Sequence, residues 1–226
     1  MTDVRPASTA ASHVPGRRLR AGIVVLLAGT VLFGLGQVVH GPEVSPADLD
    51  AFVTAMTTQR LAFAHTLLAV AVMLLAVGTA SLYALLSSSR AERVALGAFL
   101  STLTGAALVV FGLGAATLAY PDVAAAHVDA PAIIGAVLDG STRALAVVFA
   151  GAALLAIGGV LVAISVWRSD RMARSRGVPY ALTVPLVLAT ETAPTWVKYL
   201  VAVIVTSATA WLAVASWRLV PGREPA

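Results

Sequence analysis

Five long apolar runs, separated by short polar segments, make up most of the chain: residues 21–39, 61–86, 94–119, 144–167 and 197–217. At 1.5 Å per residue each is long enough, as a helix, to cross about 30 Å of hydrocarbon. A sixth run, 178–193, is different. Its apolar part is about a dozen residues and holds Pro179 and Pro185, so as a helix it reaches only about 20 Å. The pattern predicts an all-α fold, a polytopic transmembrane bundle of six crossings at about 21–40, 60–86, 94–119, 144–167, 178–193 and 196–217, the fifth short and proline-broken. The bundle covers residues 21–219, residues 1–20 read as a disordered cytoplasmic tail, and 220–226 as a second one. The first run exceeds the apolar core of a signal peptide and no small-x-small cleavage site follows it, which makes it a retained helix.

The polar excursions after the first and third runs share a design. In residues 34–66, Ser45 precedes Pro46 with Asp48 three positions on, a helix-start pattern of cap, first-turn proline and acid. Leu49, Phe52, Val53 and Met56 then form one apolar stripe. In residues 112–143, Asp129 precedes Pro131, and Ile133, Ile134, Val137 and Leu138 form the comparable stripe. Each excursion thus predicts a short amphipathic helix on the outer face, followed by an arginine, Arg60 or Arg143, at the mouth of the next crossing. The order is that of two tandem helix-hairpin repeats, which an even number of crossings relates by an axis near the membrane normal.

Small residues recur along each long run. Gly22, Gly29 and Gly36 are seven apart in the first, as are Ala64, Ala71 and Gly78 in the second. Ala98, Thr102, Gly105, Gly112 and Ala116 mark the third, Ala152, Ala156, Gly159 and Ala163 the fourth, and Ala202, Thr206, Thr209, Ala213 and Ser216 the last. Such faces let helix backbones approach closely where lipid supplies no hydrophobic gradient. They predict a compact bundle and not a wide aqueous pore.

Composition agrees with a membrane solvent. The mean hydropathy is +0.90 and 12% of residues are charged, against about 25% in soluble domains. No cysteine is present, which excludes disulfides, thiolate metal sites and cysteine nucleophiles. The net charge of +4 comes from arginines clustered beside the apolar runs, where anionic lipid headgroups are the natural counter-charge and nucleic acid is not. With a cytoplasmic amino terminus and six crossings, twelve of the 15 basic residues face the cytoplasm, leaving Arg60, Arg143 and Lys198 outside. Five crossings would place eleven there, so charge fixes the orientation of the first four helices and leaves the number of crossings open.

Polar candidates for chemistry are few. His40 ends the first run and His65 lies inside the second; two imidazoles on neighbouring helices are a candidate haem or metal pair, set against an interfacial His40 and a His65 hydrogen-bonded to a neighbouring helix. His127 falls in a loop. Glu191, flanked by Thr190 and Thr192 behind the proline-broken run, is a candidate for a polar cavity with Arg143 and Arg60, set against a surface position ending that run. Arg60 and Arg143 also read as interfacial anchors. Glu43, Asp48, Asp50, Asp122, Asp129 and Asp139 make the outer face acidic, as solvated loop charge and helix capping would. The interiors of the five long runs hold no Asp, Glu, Lys or Arg, and the chain has no phosphate loop, paired metalloprotease histidines or nucleophile elbow. The expectation is a non-enzymatic membrane protein without a required cofactor, structural, lipid-contacting or accessory to a membrane complex. Its partners would be the bilayer, anionic headgroups at the inner arginines, and another membrane protein or a second copy. The rivals are a redox protein with haem or metal at His40 and His65, and a small-molecule carrier using the broken fifth crossing.

Three stretches carry a family likeness: ASLYALL at 80–86 before a loop with Arg90 and Ala91, GGVLVAISVWRSDRMARSRGV at 158–178, and WLAVASWRLVPG at 211–222. With these the chain resembles an actinobacterial family of six-helix integral membrane proteins catalogued as a domain of unknown function. The resemblance implies six crossings of a bacterial cytoplasmic membrane and assigns no functional residue. The short, proline-broken fifth crossing departs from it.

Overall fold

The computed structural model describes residues 16–41, 54–55, 58–87, 89–125, 131–189 and 193–220, with only the helical backbone of 116, 118–125, 131–142 and 144. Among the described residues seven α-helices of five or more residues run in order: α1 (Gly16–His40), α2 (Gln59–Leu86), α3 (Glu92–Ala125), α4 (Pro131–Ser169), α5 (Gly177–Ala181), α6 (Thr183–Ala189) and α7 (Thr195–Leu219). A 3-10 turn, Arg174–Arg176, leads into α5. The five long helices each contain a span apolar enough to cross a membrane. Their outward faces are rich in exposed large hydrophobic side chains, Phe111 at 68% and Val203 at 63% among them. Apolar exposure repeated on every long helix far exceeds the patches water-soluble proteins show, and lipid is the solvent that matches it. The molecule is a multi-pass membrane bundle.

Chain ends of the helices follow from local chemistry. Thr58 caps α2 in an extended conformation, its hydroxyl accepting from the Leu61 N–H at 3.4 Å. α1 stops at Gly41, whose φ of +72° is the left-handed conformation that closes a helix and that glycine adopts without strain. α4 stops at Asp170, at φ +52°. The second amphipathic stretch begins at Pro131 as the sequence predicts, but it continues unbroken into the fourth crossing. Gly135 and Gly140 are the glycines before Arg143, and at about 1 kcal/mol each they cost too little to interrupt a helix of 39 residues. The first amphipathic stretch lies outside the described residues except for Thr54 and Ala55, as do residues 1–15 of the amino-terminal tail and 221–226 of the carboxyl-terminal one.

The helices close into a ring. α1 packs on α2, α2 on α3, α3 on α4, α4 on the α5–α6 pair, that pair on α7, and α7 back on α1. Glycines set the closest approaches. A Cβ on Gly29 would stand 2.9 Å from the Ala71 carbonyl oxygen, and one on Gly78 would stand 2.6 Å from Leu26 Cα. The seven-residue stripes of the first two runs are thus one antiparallel interface. In α4 the sequence stripe is half of the answer. Gly159 and Ala163 lie against Ala181 and Gly177 of the fifth crossing, whereas Gly151 and Gly158, which that stripe omits, meet Gly105 and Thr102 of α3. Ser101 Oγ adds a hydrogen bond to the Leu154 carbonyl across the same seam, 2.9 Å.

The register also fixes the fifth crossing. Gly34 of α1 sits beside Thr206 and Ala202 of α7, while Arg20 lies 5.5 Å from the Trp217 ring, so α7 runs antiparallel to α1. Since α4 ends and α7 begins at opposite ends of the ring, the intervening chain must traverse it. It does so as α5 and α6, broken at Leu182. The Pro185 ring would collide with the Ala181 carbonyl and offers no N–H to it; helix resumes with the Leu186 N–H on the Leu182 carbonyl at 3.0 Å. Pro179 lies in the first turn of α5, where a missing N–H is tolerated. The ring therefore has an arginine-rich end, where α1 starts and α7 finishes, and a histidine end, where α1 finishes and α2 starts.

Candidate functional site

Close packing at the seams leaves the ring open at its centre. A cavity of about 190 Å³ is lined by Thr30, Phe33 and Gln37 of α1, Leu68, Val72 and Leu75 of α2, Thr102, Val109 and Leu113 of α3, and Val148, Ala152, Leu155 and Gly159 of α4. Tyr180, Thr183, Val184, Val187 and Leu188 of the fifth crossing and Val205 and Thr209 of α7 complete the wall. The geometry of α1 shows why. At about 100° per residue, Gly29 and Gly36 point to α2 and Gly34 to α7, which leaves Thr30, Phe33 and Gln37 between them, facing inward.

The wall is chemically quieter than its composition. Thr30, Thr102 and Thr209 donate their hydroxyl protons to the carbonyls of Leu26, Ala98 and Val205 four residues back, at 2.9, 2.8 and 3.0 Å, and Thr183 donates to Tyr180 at 2.7 Å. The Tyr180 hydroxyl faces Thr79 of α2, whose own hydroxyl donates to the Leu75 carbonyl at 2.8 Å. These groups present mostly methyl and methylene surface to the interior. Gln37 differs. Its carboxamide lies within one turn of the histidine end of α1 and makes no hydrogen bond to another described residue. No charged side chain is among the described residues lining the cavity. From Tyr180, level with Leu26 through Thr79, up to Gln37 the cavity extends roughly 16 Å along the bundle.

The residues singled out in the sequence fall elsewhere. His40 and His65 do come together: their ring centroids are 5.4 Å apart at an interplanar angle of 35°, His65 buried and His40 half-buried between α1 and α2. Among the described residues no group of three or more His, Asp or Glu converges as metal ligands would. Arg60 is a structural cap. Its Nε–H donates to the Val39 carbonyl at 2.7 Å and its guanidinium covers Gly41, so it satisfies the last turn of α1 and complements the negative end of that helix. Arg143 is exposed on α4. Of the expected polar cavity of Glu191, Arg143 and Arg60, neither arginine is among the residues that line the central cavity. Glu191 lies outside the described residues, as do Glu43, Asp48, Asp50, His127 and Asp129, and the side chains of Asp122 and Asp139 are not described.

Three features escaped the sequence. Arg171 donates to the Leu85 carbonyl at 3.2 Å, ending α2 from a loop 86 residues away as Arg60 ends α1. Lys198, expected at an interface, is buried near the start of α7. Gln37 had a usable signal, a lone amide on the inward stripe with Thr30 and Phe33. At the arginine-rich end Arg20, Arg174 and Arg176 lie over the Trp217, Trp167 and Trp211 rings at 5.5, 5.8 and 5.8 Å, cation–π pairs in the interfacial belt. Comparison of the chain with protein-family models, with curated proteins and with solved structures returned no match.

Proposed function

We propose that the protein is a non-enzymatic, lipid-contacting component of a bacterial cytoplasmic membrane that holds an apolar molecule in the centre of its helix ring. The arginine-rich end faces the cytoplasm in this reading, where its tryptophan-backed arginines meet anionic headgroups. One observation carries the proposal: a central cavity walled by hydrocarbon, whose threonine hydroxyls are tied to their own helices and which no charged side chain lines among the described residues. Such a space is costly to fill with water and favourable to fill with an apolar chain. The bilayer is the nearest source. Among the described residues α4 and α7 do not pack on each other, and the short, proline-broken α5–α6 pair stands between them.

A carrier of apolar molecules is the second reading, favoured because the cavity reaches Thr183, Val184, Val187 and Leu188 on both sides of the Pro185 break. The test common to both is native mass spectrometry of the protein released from detergent. Wild type should retain an adduct of lipid mass that Val184→Phe, which fills the cavity, loses. Bare protein from both, or an adduct unaffected by the phenylalanine, contradicts the proposal.

A further inference from the structure

The ends of the cavity are unlike. Toward the arginine-rich end it is lined by Tyr180, which faces Thr79; at the histidine end it meets the Gln37 carboxamide. We infer that the cavity selects a single-chain lipid with an uncharged hydrogen-bonding head, such as a long-chain alcohol, a primary amide or a monoacylglycerol, its head at Gln37 and its chain directed toward Tyr180. This rests on the proposed apolar occupancy and adds the occupant's polarity and orientation.

The choice of head follows from what Gln37 offers and what the wall withholds. A carboxamide both donates and accepts, so it pairs with a hydroxyl, an amide or an ester carbonyl. A carboxylate or phosphate head would need a cation, and none of the cations at this end, Arg60, Lys198, His40 and His65, lines the cavity; Arg60 has its Nε on the Val39 carbonyl and its guanidinium over Gly41. A quaternary ammonium head would need an acid or an aromatic cage, and Phe33 is the only aromatic side chain beside Gln37 on the inward stripe of α1. Burying either charge without its partner in an apolar space is strongly unfavourable, whereas a neutral head forms the hydrogen bond that Gln37 does not make to any described residue. The chain's direction follows from the wall, which below Gln37 is Phe33, Leu68, Val72 and Leu75 on the α1 and α2 side.

The experiment uses the full chain in lipid nanodiscs and four diazirine-tagged probes of one chain length ending in a hydroxyl, a carboxylate, a trimethylammonium or a methyl group. The hydroxyl probe should label most, and about five- to tenfold more than the methyl-ended one, the ratio a single net hydrogen bond supplies. Gln37→Leu should bring those two probes level while leaving chain labelling in place. Val184→Phe, and Val148→Phe from the α4 side should the first fail to assemble, should abolish labelling by all four. Labelling unchanged by both phenylalanines overturns the cavity reading itself. Labelling that they abolish, but with the hydroxyl preference surviving Gln37→Leu or with the carboxylate probe dominant, overturns the head-group inference alone.

Discussion

The α1–α2 seam gives the most exposed prediction of the packing account. At Gly78 a Cβ would stand 2.5 Å from Leu26 Cβ, 2.6 Å from Leu26 Cα and 2.8 Å from Leu26 N. Carbon atoms pack best at about 3.5–4.0 Å, so Gly78→Ala must part the two helices by about 1 Å at that level. The obstacle is backbone and Cβ, which no rotamer change relieves. Overpacking of this kind costs about 1–3 kcal/mol, and the adjoining contacts of Gly29 and Gly36 lose dispersion energy as the seam opens. Gly114→Ala in α3 is the control, because a Cβ there meets nothing within 4 Å. Thermal unfolding in detergent, followed by the fluorescence of the four tryptophans, should show Gly78→Ala lowered on the order of 5 °C or more and Gly114→Ala unchanged or slightly raised. Equal midpoints for the two variants would refute the claim that glycine stripes set the interhelical distance.

Other consequences concern ends and crossings. Arg60→Ala should release the Val39 carbonyl, at a cost of roughly 0.5–1 kcal/mol confined to the last turn of α1, read as faster amide exchange around residues 37–41 with global stability nearly unchanged. Arg171→Ala should do the same to the last turn of α2, and slow exchange persisting there would contradict the cap. A topology reporter fused after Pro194 should signal from the periplasmic side and one at the carboxyl terminus from the cytoplasm; the reverse would require five crossings. For the histidine pair, purified protein loaded with haem or a divalent transition metal should show no saturable binding that His65→Ala removes, and such binding would revive the redox reading.

Much of this architecture is written in spacing. Gly22, Gly29 and Gly36 against Ala71 and Gly78 could be paired on paper, because a seven-residue repeat keeps one helix face and a short excursion forces an antiparallel neighbour. The fourth run defeats the same reasoning. So many small residues follow Gly151 that two overlapping stripes exist, and only the positions of α3 and the fifth crossing tell them apart. The caps by Arg60 and Arg171 were illegible for another reason: a carbonyl at a helix end leaves no sequence mark, and its donors come from 21 and 86 residues away. Charge could not count the crossings, since twelve and eleven arginines and lysines inside are too close to separate. The antiparallel contact of α1 with α7 does separate them. The cavity itself was hidden because its wall is built from the same valines and leucines as the lipid-facing surface, and Gln37 was its single polar sign.

The central claim, an apolar space inside the ring that water does not fill, can be tested by thiol labelling, since the chain has no cysteine of its own. Val187→Cys on the cavity wall and Val203→Cys on the exposed face of α7 would be treated in membranes with a charged, water-soluble maleimide and with an apolar one. The account predicts that both positions resist the charged reagent, and that the Val187→Cys thiol reacts with the apolar one at a rate that Val148→Phe sharply lowers. Rapid labelling of Val187→Cys by the charged reagent would show an aqueous pore and contradict it.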